Sequence, residues 1–249
     1  MKILKKKLHL IIIIISLLCL IGSAISLIIN RDAKHQVIKN NKEGEVTMNL
    51  DTYVNEALNN IKALGLIQSD ELLDKQLLNN FHETPEEILE SMDATQIYGM
   101  IFDYIGVGKY DYDTCDWTPS SDKIYSFDTE AFNINKMYTF FLTGISTIAA
   151  NDIKIDNIIE DTSQVDYESG TGKQIISFQC NGKHYQFEAN VYYDWFDTEM
   201  ITYMKSVIEE QETGKHLWIT SDGYQNCIVF YETEEWANNF SSYTGYLLE

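Results

Sequence analysis

Apolar positions along the chain form first an unbroken run, then stripes at helical spacing, and last short alternating stretches. The run extends from Leu10 to Ile29, 20 positions without a charge, and includes Ile11, Ile12, Ile13, Ile14 and Ile15 in succession. A helix of that length rises about 1.5 Å per residue and covers the roughly 30 Å hydrocarbon layer of a bilayer. Lys2, Lys5, Lys6 and Lys7 stand just before it, so the positive-inside bias predicts a cytoplasmic N-terminus and an extracytoplasmic remainder. Residues 1–29 are thus expected to be a signal anchor. The alternative is a cleaved secretory signal ending at Gly22-Ser23-Ala24 or Ala24-Ile25-Ser26, although the apolar region of such signals is usually only about 7–15 residues. Residues 30–48 are polar and suit a flexible stalk with a reach of roughly 25 Å.

From Asn49 the period becomes helical. Leu50, Val54, Leu58 and Ile61 share a face and Gly65 follows where a C-cap belongs. A second helix is predicted after Ser69 with Leu72, Leu73, Leu77 and Phe81, and a third from the start signal Thr84, Pro85 and Glu87. Ile97, Met100, Ile101, Tyr104 and Ile105 carry the same period to Gly106. Residues 49–106 therefore read as a helical lobe, and residues 107–127 as an irregular loop of interleaved aromatic and acidic side chains.

Residues 128–249 predict an α+β lobe. Met137, Phe141, Ile145 and Ile148 mark a helix, after which Ile153 and Ile155 alternate with Lys154 and Asp156. Asn181-Gly182 is a type I′ signal inside a hairpin from Gln174 to Tyr192, and a two-residue loop sets Cys180 opposite Lys183, Phe178 opposite Tyr185 and Ile176 opposite Phe187. A helix over 194–211 follows, with Ile201, Met204, Val207 and Ile208 on one stripe and Gly214 as its stop. A second hairpin with a four-residue loop, Asp222 to Gln225, sets Ile219 opposite Ile228 and Leu217 opposite Phe230. Both of its faces hold apolar residues, which predicts central strands. A last helix starts at Thr233, has Glu234 and Glu235 in its first turn, and buries Trp236, Phe240 and Tyr243. The fold class is α+β: a transmembrane helix, a helical lobe, then a mainly antiparallel sheet with helices packed on one face, 49–106 and 128–249 forming one compact ectodomain.

Charge narrows the function classes. The 249-residue chain has formal charge −20, and because four lysines and no acid precede residue 30, residues 30–249 hold 14 basic and 38 acidic side chains, a formal −24. Such a field repels phosphate backbones, so nucleic acid is not an expected partner, and it attracts basic proteins and cations. The same acidity also serves plain solubility.

Reactive constellations are sparse. Cys115, Cys180 and Cys227 lie beyond the apolar run, and a bridge between Cys180 and Cys227 requires neighbouring strands with Cα atoms within roughly 7 Å; buried free thiols are the simpler expectation. The hairpin register puts His184 on the face opposite Cys180, against a Cys/His dyad. No Cys-x-x-Cys, His-Glu-x-x-His, Gly-x-Ser-x-Gly or phosphate loop occurs, and no cofactor is implied. Asp111, Asp113, Asp116 and Asp122 alternate like calcium ligands but lack the glycine and terminal Glu of an EF-hand loop, so the metal question stays open. Tyr110, Tyr112, Trp117 and Tyr125 stand beside those acids, and together the eight form the candidate contact surface, since loop aromatics supply large rigid area. Packing against the two lobes is the competing role for these rings.

The expected function is that of a membrane-anchored, acidic, non-enzymatic domain that binds a basic protein, in the manner of an inhibitor or immunity protein. The alternatives are a cell-envelope hydrolase using carboxylates and a carbohydrate-binding envelope module.

Overall fold

A computed structural model describes residues 50–68, 70–84, 92, 94–131 and 133–249. The apolar run, the stalk and the helix expected after Thr84 lie outside the described residues. Among the described residues no helix is long and apolar enough to cross a membrane.

Six helices are described. The first three are α1 (Leu50–Ala63), α2 (Glu71–Glu83) and α3 (Ala94–Gly106). α1 buries Val54, Leu58 and Ile61 as its stripe demands, and Gly65 closes it at φ +73, the left-handed conformation that glycine adopts without a Cβ clash. Asp70 begins α2: its carboxylate accepts the Leu73 amide at 3.4 Å. α3 buries Ile97, Ile101 and Ile105, with Tyr98 and Phe102 widening the stripe, whereas Tyr104 is 43% exposed. The stripe therefore rotates away from the expected Tyr104 and toward the aromatic pair.

Segment 107–127 is not an irregular loop. It contains β1 (Lys109–Asp111) and β2 (Asp116–Thr118), a short antiparallel hairpin, and enters β3 (Tyr125–Asp128). Next come α4 (Met137–Ile148), β4 (Ile155–Asp166), β5 (Thr171–Cys180), β6 (Lys183–Asn190), α5 (Glu199–Glu209), β7 (His216–Ser221), β8 (Asn226–Glu232) and α6 (Glu234–Thr244). This order from α4 onward is the expected one.

Two three-stranded antiparallel sheets form, β4-β5-β6 and β3-β8-β7, in place of a single sheet. Across Asn181-Gly182, with φ values of +48 and +82, Cys180 pairs with Lys183, Phe178 with Tyr185 and Ile176 with Phe187, as the turn chemistry dictates. The β7–β8 register differs by one residue from expectation: Ile219 pairs with Val229, Leu217 with Tyr231, and Ser221 with Cys227. Here the loop holds residues 222–226, because the Asp222 carboxylate accepts the Tyr224 amide at 2.8 Å and the Asn226 amide at 3.3 Å. β8 is central, whereas β7 is an edge whose Ile219 backbone pairs with Glu249.

Helices cover both faces of the β3-β8-β7 sheet, not one. Ile228 and Phe230 face α1, α3 and α6, while Cys227, Val229 and Tyr231 face α4 and α5, which also pack on β4-β5-β6 through Ile155, Ile176 and Phe178. Each large apolar side chain withdrawn from water on these faces contributes roughly 1.5–3 kcal/mol. α5 begins later than expected because 194–196 run alongside 129–131, with the Ala131 amide on the Asp194 carbonyl at 2.6 Å and the Phe196 amide on the Thr129 carbonyl at 2.8 Å. The Thr233 hydroxyl caps α6 by accepting the Trp236 amide at 3.2 Å, and Phe240 is buried, but Tyr243 is 49% exposed.

α4 starts without a cap from its own sequence. Glu160 of β4 fills that role: its carboxylate accepts the Thr139 amide in the first turn and the Gln174 side-chain amide at 2.6 Å. Burial nevertheless outweighs these donors and raises the carboxyl from its ordinary 4.5 to about 7. An acid raised in the folded state gives stability that is complete below its unfolded value and lost as pH climbs through the folded one. Chain stability should therefore decline between about pH 4.5 and pH 7 by on the order of 2–3 kcal/mol. Glu160→Gln keeps an acceptor for α4 and should flatten that decline in urea melts run across the window; an unchanged slope refutes the assignment.

Gly144 sits in α4 under the Tyr125 ring, and a Cβ there would lie 2.6 Å from three ring carbons. Tyr125 is held between Trp117 and Phe127, each at a centroid distance of 5.4 Å, so yielding to a methyl group would disturb that ring packing. Gly144→Ala should cost about 1–3 kcal/mol by overpacking, beyond the roughly 1 kcal/mol that alanine adds to a free helix. A urea midpoint lower than that of the unaltered chain is the expected readout.

Candidate functional site

The β1–β2 hairpin exists because Asp111 organises its turn. Its carboxylate accepts the Asp113 amide at 2.8 Å and the Thr114 amide at 3.2 Å, which holds the carboxyl below the usual carboxylate range. Cys115 completes the turn at φ +54, and β1 and β2 pair Tyr110 with Trp117. The hairpin is then fastened from outside. The Trp117 indole donates to the Val107 carbonyl at 2.7 Å, and the Asn133 amide donates to the Tyr110 hydroxyl at 3.4 Å. Lys136 bonds both the Asp116 carboxylate at 2.6 Å and the Cys115 carbonyl at 3.0 Å, and the Asp116 partnership raises the ammonium above its ordinary value.

Behind the hairpin lies a pocket of about 250 Å³. Its walls are Tyr110, Tyr112 and Trp117 from the hairpin, Tyr125 and Phe127 from β3, Met137 and Phe140 from the first turn of α4, and Phe196; Ser126, Asp128 and Asn133 supply polar atoms. The rings support one another, with Phe127 5.0 Å from Phe196, Trp117 6.1 Å from Phe140 and Tyr110 6.1 Å from Phe140. Below them Ser126 donates to Asp103 at 2.6 Å, and burial raises that carboxyl. Asp128 is exposed at the rim, where it accepts the Glu130 amide at 2.8 Å and the Gln225 side-chain amide at 2.9 Å.

Of the eight residues expected to form a contact surface, the four aromatics converge on this pocket and the four acids do not line it. Asp111 serves its own turn, Asp116 pairs with Lys136, and Asp113 and Asp122 are exposed on their loops. The alternation that resembled calcium ligands is explained at Asp111 by backbone capping, and among the described residues no three His, Cys, Asp or Glu side chains are placed to hold a metal ion. Phe127, Phe140, Phe196, Asn133 and Asp128 complete the site without having been singled out in the sequence. Asn133 and Phe140 flank the start of α4, so the one available signal was the helix stripe at Met137, one turn from Phe140.

Thiol chemistry has no support at the other cysteines. Cys180 and Cys227 are buried and unbridged, on different sheets, and desolvation pushes their thiols up to about 11 and about 12. His184 is exposed on the far face of its strand, bonded to Gln179 at 2.8 Å. Cys115 is exposed and free of a disulfide.

Three aromatic rings lie directly on glycines, two of them in the pocket wall. Besides Tyr125 on Gly144, the Trp117 ring lies where a Cβ of Gly108 would be, at 2.4 Å, and Tyr193 covers Gly170 in the same way at 2.3 Å. Gly108 also has φ +77, so a side chain there is disfavoured twice. Gly108→Ala should displace the indole, break its bond to Val107 and shift the intrinsic tryptophan emission. A spectrum and unfolding midpoint unchanged from the parent would show that Trp117 does not rest on Gly108.

Comparison of the chain with protein-family models, curated proteins and solved structures finds no match.

Proposed function

We propose that this α+β protein is a non-enzymatic binding domain, held at the outer face of a membrane by residues 10–29, that engages a basic protein partner. The observation that carries the reading is the aromatic-walled pocket set in an acidic surface. Aromatic rings around a cavity provide contact area with few rotamers to freeze, and an excess of carboxylates over a surface of formal charge −24 across residues 30–249 steers a basic partner toward it. The hairpin carboxylates Asp111 and Asp116 are engaged as a turn cap and an ion-pair partner, an arrangement that favours binding over a pair of acids facing a substrate across a cleft. The apolar run and its preceding lysines support the membrane placement.

A photo-crosslinking residue in place of Tyr112, which is 75% exposed at the pocket, tests this in cells that make the full chain. Irradiation should give a discrete adduct with a protein of net positive charge. The affinity of the purified pair should fall between about 0.1 M and about 1 M salt, as the screening length shortens from about 10 Å to about 3 Å. Adducts with glycan alone would favour a carbohydrate-binding module, and an affinity that held or rose with salt would remove the electrostatic basis.

A further inference from the structure

We propose that the pocket recognises an arginine side chain of the partner. This rests on the partner-binding reading and adds the chemical group recognised. A volume of about 250 Å³ is below the roughly 300–1,000 Å³ of sites for whole small molecules, and suits one long side chain. Its walls are aromatic, which favours an organic cation over a hydrated ion.

The rim supplies the second half of the match. Gln225 extends its side-chain nitrogen between two carboxylates, 2.9 Å from Asp128 Oδ2 and 3.2 Å from Glu130 Oε2. A planar N–H donor is thus already accommodated between two acids at the edge of an aromatic cavity, and Asp128 is itself a wall of that cavity. The Gln225 amide is neutral, and neither Asp128 nor Glu130 takes part in an ion pair among the described residues. Lys136, whose ammonium reaches the hairpin from outside it, is committed to Asp116 and the Cys115 carbonyl. Two acids with only a neutral donor between them beside stacked rings leave a place for a delocalised planar cation. Arginine fits better than lysine, because the guanidinium plane lies against aromatic faces and its fork of donors matches a carboxylate.

The test uses the full-length chain in nonionic detergent with its four tryptophans replaced by 5-fluorotryptophan, the Trp117 fluorine signal being assigned with Trp117→Phe. N-acetylarginine amide and N-acetylcitrulline amide are titrated at low salt; they share shape and differ in charge. Arginine should shift the Trp117 signal with an affinity about tenfold above that of citrulline. Asp128→Asn, which keeps an acceptor for the Glu130 amide, should abolish that preference while the other three fluorine signals stay in place, and Glu130→Gln should reduce it. Equal response to both probes overturns the proposal, as does an arginine preference that survives in both variants. A protein adduct at position 112 without an arginine preference would sink this inference alone; an arginine preference without any protein adduct would sink the partner reading alone.

Discussion

Strand β8 has no polar face. Ile228 and Phe230 on one side and Cys227, Val229 and Tyr231 on the other are all withdrawn from water, so the strand can exist only between two layers. α1, α3 and α6 supply one of them, α4 and α5 the other, and the second layer has to be backed in turn by β4-β5-β6. The order of layers in the molecule follows from covering this one strand. Its edges are occupied as well, by β7 on one side and by β3 on the other, and pairing with β3 is what brings Tyr125 and Phe127 to the pocket.

Features that depend on near neighbours were legible in the sequence. The stripes of α1 and α4, the Thr233 cap and the Asn181-Gly182 hairpin are set by residues within a few positions of one another, and each appears where the pattern puts it. Features set by distant partners were not. β3 is four residues long and is a strand because Tyr125 pairs with Val229, about a hundred positions away; nothing local distinguishes it from loop. The register of β7 and β8 turned on whether Asp222 caps a loop of four or five residues, a choice made by the side chain's hydrogen bonds and not by the alternation of apolar positions. A single sheet was expected because strand-rich stretches close in sequence usually pair, but two faces of β8 needing cover allowed two sheets with helices between them.

The site divides along the same line. Tyr110, Tyr112, Trp117 and Tyr125 were recognisable because aromatic rings gathered in one stretch must find apolar surroundings or a ligand, and here they line a cavity. The acids between them looked equally functional and are not part of it: Asp111 is taken up by the backbone amides of its own turn, Asp116 by Lys136, and Asp113 and Asp122 stand exposed on their loops. Phe127, Phe140 and Phe196 come from a strand, a helix and the segment before α5, and only the tertiary fold brings them to one pocket.

The rings resting on glycines have a consequence for how any encounter at this surface proceeds. Trp117 on Gly108 and Tyr125 on Gly144 each have one face pressed to backbone that cannot withdraw, so their rotational freedom is surrendered when the chain folds. An incoming molecule meets a surface already immobilised and forfeits little entropy by ordering it. Docking here is then expected to be close to rigid-body, with its speed set by diffusion and long-range attraction more than by slow rearrangement of the receiving surface.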